Sequence, residues 1–242
     1  MNREAILEKL RDDESYYGDF GKQFLSNSNI GHLLTNPEKY FNGENIADLP
    51  VFLIGGYFHT AILEPHKLDE FKIVDYATRN NKEYRKLEKH ALLQKEVDNI
   101  NQMISAVDRV DDIRKLVRCE TNEYEVPWLG ELYGHTWKGK ADILNHEQQL
   151  VIDLKTTGDI QRFRKSSNMY NYDSQAWIYK QLFGYDVTFV AIDKTTHQIG
   201  MFPCSDAFYT EGEMKVEKAV SEYEKWRSED FDREQSFIYE LL

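Results

Sequence analysis

"KADILNHEQQLVIDLKTT", residues 140–157, places an acid and a base inside the most strand-like segment of the chain. Asp153 and Lys155 interrupt the run Leu150-Val151-Ile152-Asp153-Leu154-Lys155, which otherwise reads as a buried strand. A buried charge is costly unless it is paired or holds a metal. Side chains alternate along a strand, so Asp153 and Lys155 share one face while Ile152 and Leu154 share the other. If residues 137–144 return as a hairpin on 150–156, an even loop puts Asp142 on the same face as Asp153. A six-residue loop sets the two acids opposite each other, and a four-residue loop over 145–148 sets them on the diagonal.

Two carboxylates at that range repel, and a divalent cation removes the conflict. Hard cations such as Mg2+ favour one or two carboxylates, completed by water and substrate phosphate. Lys155 beside them is a compact positive charge that can hold an attacking water or steady charge growing on a phosphate. Together these groups suit phosphodiester hydrolysis. An Asp-x-Lys pair alone is more often a surface pair on an edge strand. What moves the reading is Asp142 eleven residues earlier across a turn, the hydrophobic strand around Asp153, and a helix carrying Gln175 and Tyr179 soon after.

The chain has 242 residues, 41% hydrophobic and 13% aromatic, enough to fill a core. No run approaches the roughly 18 apolar residues of a membrane span. The start, MNREAILEKLRDDE, is too charged for a signal peptide. Cys119 and Cys204 give no zinc or iron–sulfur spacing, and their scarcity fits a reducing cytoplasm. The net charge of −12 argues at first against a polyanionic partner. Its distribution softens that: residues 1–20 hold three basic and six acidic side chains, and residues 205–242 hold five and eleven. The stretch 138–165 is net positive, and Lys140, Thr156, Arg162, Arg164 and Lys165 within it are the candidate DNA contacts.

The order of elements reads as helices, then β-β-β, α, β-β, α: a mixed α/β core behind a helical N-terminal half. Residues 26–43 start with helix-capping residues and break at Asn36-Pro37. Residues 53–65 read as a small-and-apolar helix whose Gly55-Gly56 pair would admit a close neighbour. Residues 79–118 are helical in period, with Leu92, Leu93, Val97, Ile100, Ile104 and Val107 as one stripe. Turn signals at Gly130, Gly134 and Asn145 divide the strands. A helix over 172–184 takes Asp173 or Ser174 as its cap and Gly184 as its stop. A last amphipathic helix follows residue 206.

"GKADIL…VIDLKTT…SQAWIYKQLFG" resembles the PD-(D/E)XK nuclease superfamily, in particular its exonuclease VIII (RecE)-like and RecB-like, phage-type branch. Asp142, Asp153 and Lys155 match the two acids and the lysine, and Gln175 and Tyr179 match the branch's Q-x-x-x-Y element. "GGYFHTAILEP" resembles the family's glycine-x-x-histidine helix, and "SNSNIGHLLTNPEKYF" its N-terminal helix. Ala141 replaces the proline that names the superfamily, and two cysteines stand where iron–sulfur relatives have four.

The resemblance implies a restriction-endonuclease-like mixed sheet flanked by helices. It implies one nuclease domain over 1–242: a mainly helical part to 118, a catalytic core over 119–205, and a C-terminal helix with an acidic tail. It implies an ion (Mg2+ or Mn2+, no iron–sulfur cluster) held by Asp142, Asp153, His59 and the Leu154 carbonyl. Lys155 would position water, with Gln175 and Tyr179 orienting lysine, water or phosphate. The implied activity is a metal-dependent 5'-to-3' deoxyribonuclease that processes linear duplex ends for phage recombination in the bacterial cytoplasm. Its implied partners are DNA, further copies of itself and a single-strand annealing protein, with no membrane. Two other readings are a catalytically silent DNA-binding or protein-interaction module on the same fold, and an acidic DNA mimic. The intact acid-acid-lysine set weighs against the first, and the concentration of acid at the termini against the second.

His135, His146 and His197 read as solvated turn residues, and Trp128 and Trp137 as sheet packing. Glu123 and Glu125, just before the core strands, are placed to approach an ion, but read first as solvated strand-edge acids.

Overall fold

A computed structural model describes residues 1–43 and 50–231. Five strands form the central sheet in the order β3 (Asn122–Leu132), β4 (His135–Asn145), β5 (Leu150–Thr157), β6 (Asp186–Asp193) and β7 (Ile199–Pro203), after a small parallel pair, β1 (Ile73–Val74) and β2 (Leu92–Leu93). Neighbours in the large sheet are antiparallel except β5 and β6, which run parallel. A parallel pair needs a crossover. Here α8 (Phe163–Met169) and α9 (Tyr172–Phe183) supply it.

Helices cover both faces of this sheet. α9, α10 (Asp206–Arg227) and α3 (Asn27–Thr35) cover one, burying Val151, Phe189 and Ala191 with Ile30, Leu33, Ile178 and Val216. α5 (Pro50–Leu63), α6 (Gln94–Arg109) and α7 (Asp111–Val117) cover the other, burying Ile152, Leu154, Val190 and Ile192 with Phe58, Ile100 and Met103. The alternation expected along 150–155 therefore sorts the strand's residues between two cores. α1 (Arg3–Leu10) and α2 (Asp13–Tyr17) form a third, smaller core of Leu10, Tyr16 and Leu129 against β3, and α4 (Pro37–Phe41) follows α3.

Several local expectations change. Residues 79–93 are not α-helical: Tyr84–Lys86 form a single 3-10 turn, Leu92 and Leu93 form β2, and the amphipathic helix begins only at Gln94, where Glu96 accepts from the Leu93 N–H. Gly130 lies inside β3, not in a turn; the turn is Tyr133-Gly134, both at positive φ, the two-residue hairpin geometry. Gly130 and Gly139 instead leave room for α9, since a Cβ there would meet Leu182 at 2.7 and 3.0 Å. Gly55 and Gly56 admit no close neighbour; the nearest atom to a Cβ at either is Phe71, 3.8 Å from Gly56. α9 starts at Tyr172 behind Asn171, so Asp173 is not its cap but a buried acid paired with Lys215 at 2.8 Å. Of the acidic tail, residues 232–242 lie outside the described residues.

Candidate active site

The β4–β5 ladder pairs Asn145 with Leu150, Leu144 with Val151 and Ile143 with Ile152, and then ends. One residue further on, by count, Asp142 stands across from Asp153, the opposite-register arrangement. With the ladder finished, the Leu154 N–H turns to the Asp142 carboxylate and donates to Oδ2 at 2.7 Å. The strands split at the residues that carry the acids.

Asp153 is buried, at 1% exposure. Its Oδ2 accepts from Gln175 Nε2 of α9 at 2.8 Å, and Lys155 Nζ lies 2.6 Å from its Oδ1. That contact is off hydrogen-bond alignment, which leaves Oδ1 buried without an aligned donor. Burial pushes the Asp153 carboxyl up to about 6, against the pull of Lys155 and with Asp142 adding to the push. Burial works to lower the Lys155 ammonium, but Asp153, Tyr172 and Asp142 hold it above its usual value. The ammonium also sits over the Tyr172 ring, 4.6 Å from its centre. An aromatic face compensates a desolvated cation in part.

His59 comes from α5, on the other side of the sheet, and its Nδ1 is 3.3 Å from Asp142 Oδ2. α5 thus reaches the acids. Glu125 reaches them too, although sequence reasoning set it aside as a solvated edge residue. It lies in β3, where the pairs on either side, Tyr124 with Ile143 and Val126 with Ala141, place it across from Asp142. Burial, then Asp142, raises its carboxyl to about 8 against the pull of Lys140. Its φ of 50° is left-handed, a strained conformation for a glutamate and one that concentrates at functional sites.

Two expected site residues face elsewhere. Tyr179 donates its hydroxyl to the Lys140 carbonyl at 2.8 Å, so it ties α9 to β4 and is not aimed at the acids. Lys140 is almost fully buried, 2.6 Å from Asp13 and 3.8 Å from Glu125, so its charge is already met within the protein. Thr156 is half-buried, while Arg162, Arg164 and Lys165 are exposed just beyond β5. Trp137 is fully buried and Trp128 is partly buried, both against the sheet. His146 and His135 meet Glu123 and Glu224, at 2.5 and 3.1 Å, and His197 meets Asn99 at 2.9 Å. Cys119 and Cys204 are free thiols.

The sequence profile of the family described as "PDDEXK-like domain of unknown function (DUF3799)" matches residues 35–236. The chain belongs to that family. No curated protein sequence matches it. Among solved structures, a candidate exonuclease from Eubacterium rectale superposes with a TM-score of 0.66 at 17% identity, covering 96% of this chain and 95% of its own. A phage-related exonuclease from Haemophilus somnus matches at TM-score 0.39 and 14% identity, over 84% of this chain and 94% of its own, too distant to add to the comparison. The first likeness shows a shared fold, and the family match makes it a PD-(D/E)XK-like mixed sheet flanked by helices. No helix among the described residues is long and apolar enough to cross a membrane.

Proposed function

We propose that this chain is a metal-dependent deoxyribonuclease working as one unit, and that it degrades duplex DNA from its ends. The observation that carries the reading is the split of β4 from β5, which brings Asp142, Asp153 and Lys155 together in a PDDEXK-like chain.

The donor set fits a hard cation. Two carboxylates face each other across the split, and Asp153 Oδ1 is buried without an aligned donor. Among the described residues no three His, Cys, Asp or Glu side chains are grouped to hold an ion, so the protein offers the two carboxylates and little more. An ion here would therefore keep much of its water, as Mg2+ and Mn2+ do in phosphate chemistry. Asp142 and Asp153 would hold it, with His59 and the Leu154 carbonyl beside them. When bound, the ion supplies charge neutralisation on the phosphate and a more acidic water.

The protein's own groups have separate tasks. Lys155 orients the attacking water and opposes the charge that builds on the phosphate. Gln175 fixes the Asp153 carboxylate by donating to Oδ2, while Lys155 stands against Oδ1. Arg162, Arg164 and Lys165 are exposed just beyond β5, and we assign them to phosphate anchoring. We assign Tyr179 the support of β4 behind the acids.

Action on ends, 5'-to-3' polarity, a role in phage recombination, self-association and an annealing-protein partner are part of this reading and rest on the family resemblance. The test is incubation of the protein with linear and covalently closed circular duplex and Mg2+ or Mn2+, using duplexes labelled at either 5' or 3' end. Mononucleotide release from the 5'-labelled end of linear DNA, with the circle intact, is the expected result. Undiminished cleavage in excess chelator, or no cleavage of any DNA with either ion, would refute it.

A further inference from the structure

α2 brings two adjacent tyrosines to the site from a part of the chain that lies before the family match at residue 35. They behave differently. Tyr16 is buried, its carbonyl accepts from Lys138, and the Lys138 ammonium sits 4.1 Å from its ring centre. Tyr17 is 68% exposed and stands edge-on to Tyr16, ring centres 5.0 Å apart at 75°.

An exposed tyrosine alone needs no explanation. The surroundings of this one do. Lys140 lies 5.9 Å from the Tyr17 ring centre and 3.8 Å from Glu125, which stands across from Asp142. Although its ring is open to water, the Tyr17 phenol is raised by the protein around it, then by Glu125, Asp13 and Asp142. The open ring therefore stands one lysine side chain away from the acids, through Lys140 and Glu125. The ring has the buried Tyr16 behind it, and the backbone that follows is tight. A Cβ at Gly18 would come within 2.3 Å of the Glu14 carbonyl, and one at Gly21 would strike the Tyr16 carbonyl, so the backbone on this side of the pair is tightly wound.

We propose that Tyr17 is a stacking platform for an unpaired nucleobase at the mouth of the acid site. The proposal rests on the nuclease reading and adds a substrate contact to it. The charge around the ring selects which part of a nucleotide it takes. Its neighbours in sequence include Asp12, Asp13, Glu14 and Asp19, and the nearby Lys140 is already paired with Asp13, which disfavours phosphate and leaves the uncharged face of a base as the fitting guest. Every base has such a face, so the contact is indifferent to sequence and favours a terminal or frayed nucleotide over a paired one. Rigid aromatic surface open to solvent and fixed from behind binds with little loss of side-chain freedom.

The test is a duplex with one unpaired terminal 2-aminopurine, whose fluorescence falls on stacking, titrated with the protein in Ca2+ and followed by anisotropy as well. The wild-type protein should quench the fluorophore. Tyr17→Ala should remove the quenching and weaken binding by about tenfold, within the range for one lost base–aromatic stack. Tyr17→Phe should retain both, and Tyr17→Leu should lose quenching. An abasic terminal nucleotide should erase the difference between wild type and Tyr17→Ala. Equal quenching and affinity for wild type and Tyr17→Ala, with unchanged circular dichroism, would overturn the proposal and leave the nuclease reading standing. Tyr17-dependent quenching by a protein that cleaves no DNA would do the reverse.

Discussion

Asp142 Oδ2 accepts the Leu154 backbone N–H at 2.7 Å, one residue past the last rung of the β4–β5 ladder. A carboxylate here replaces a strand carbonyl, so the same oxygen that ends the pairing also begins the site. Asp142→Asn can keep the hydrogen bond through its amide oxygen but loses the charge. We expect at least about a hundredfold loss of turnover, on the order of 3 kcal/mol of barrier, with the melting temperature nearly unchanged. Near-normal turnover in a folded variant would remove Asp142 from the chemistry.

Lys155 separates chemistry from binding. Its ammonium is spent on Asp153 and the Tyr172 face and is not turned to bulk solvent, so it is poorly placed as a general phosphate anchor. Lys155→Ala should lower the single-turnover rate by about a hundredfold or more while DNA affinity stays within about twofold. Arg164→Ala should do the opposite, weakening DNA binding more steeply as salt rises and leaving the bound rate alone. Loss of DNA affinity with a normal single-turnover rate in Lys155→Ala would make it an anchor instead.

His59 tests whether α5 belongs to the site. If it helps hold the ion through or beside Asp142, His59→Ala should raise the metal concentration for half-maximal activity by roughly tenfold, as losing a neighbour of a metal ligand does. Excess Mn2+ should then restore part of the rate. A lowered melting temperature with an unchanged metal titration would reduce His59 to a packing residue.

Where local pattern decides the outcome, the sequence is legible. The acids on β4 and β5 stand out because a charge in an apolar strand needs a reason, and the two-residue period alone places Asp153 and Lys155 on one face. The Gly184 stop works the same way, since its φ of 73° suits glycine. What stays hidden depends on partners far along the chain. Lys140 looks like a DNA contact until Asp13, 127 residues earlier, is found beside it. Gln175 and Tyr179 share a helix face, yet no spacing tells that one meets a carboxylate and the other a backbone carbonyl. Glu125 is set by β3 pairing register and a left-handed φ, neither of which its neighbours signal. Leu92-Leu93 is a short apolar pair, and strand and helix are equally open to it until β1 lies alongside.

The cost of holding three carboxylates together should appear as a pH dependence of the metal-free protein. Unfolded, Asp153 and Glu125 titrate near their ordinary values; folded, they titrate at about 6 and about 8. Both shifts are upward, so between about pH 4 and 8 the folded state binds more protons than the unfolded one. Stability contributed by these protons is present at the acid end of that window and is lost as pH rises through it. The melting temperature in chelator should therefore fall by about 5 °C or more from pH 5 to pH 8, a few kcal/mol for a chain of this size. Glu125→Gln, neutral at every pH, should flatten the upper part of that fall. Divalent cations bind the ionised carboxylates, so added Mn2+ should raise the melting temperature far more at pH 8 than at pH 5. Differential scanning fluorimetry across pH, with and without Mn2+, gives all three curves. A metal-free protein whose stability rises from pH 5 to 8, with Glu125→Gln following the same curve, would mean that the three acids do not share one buried charge conflict.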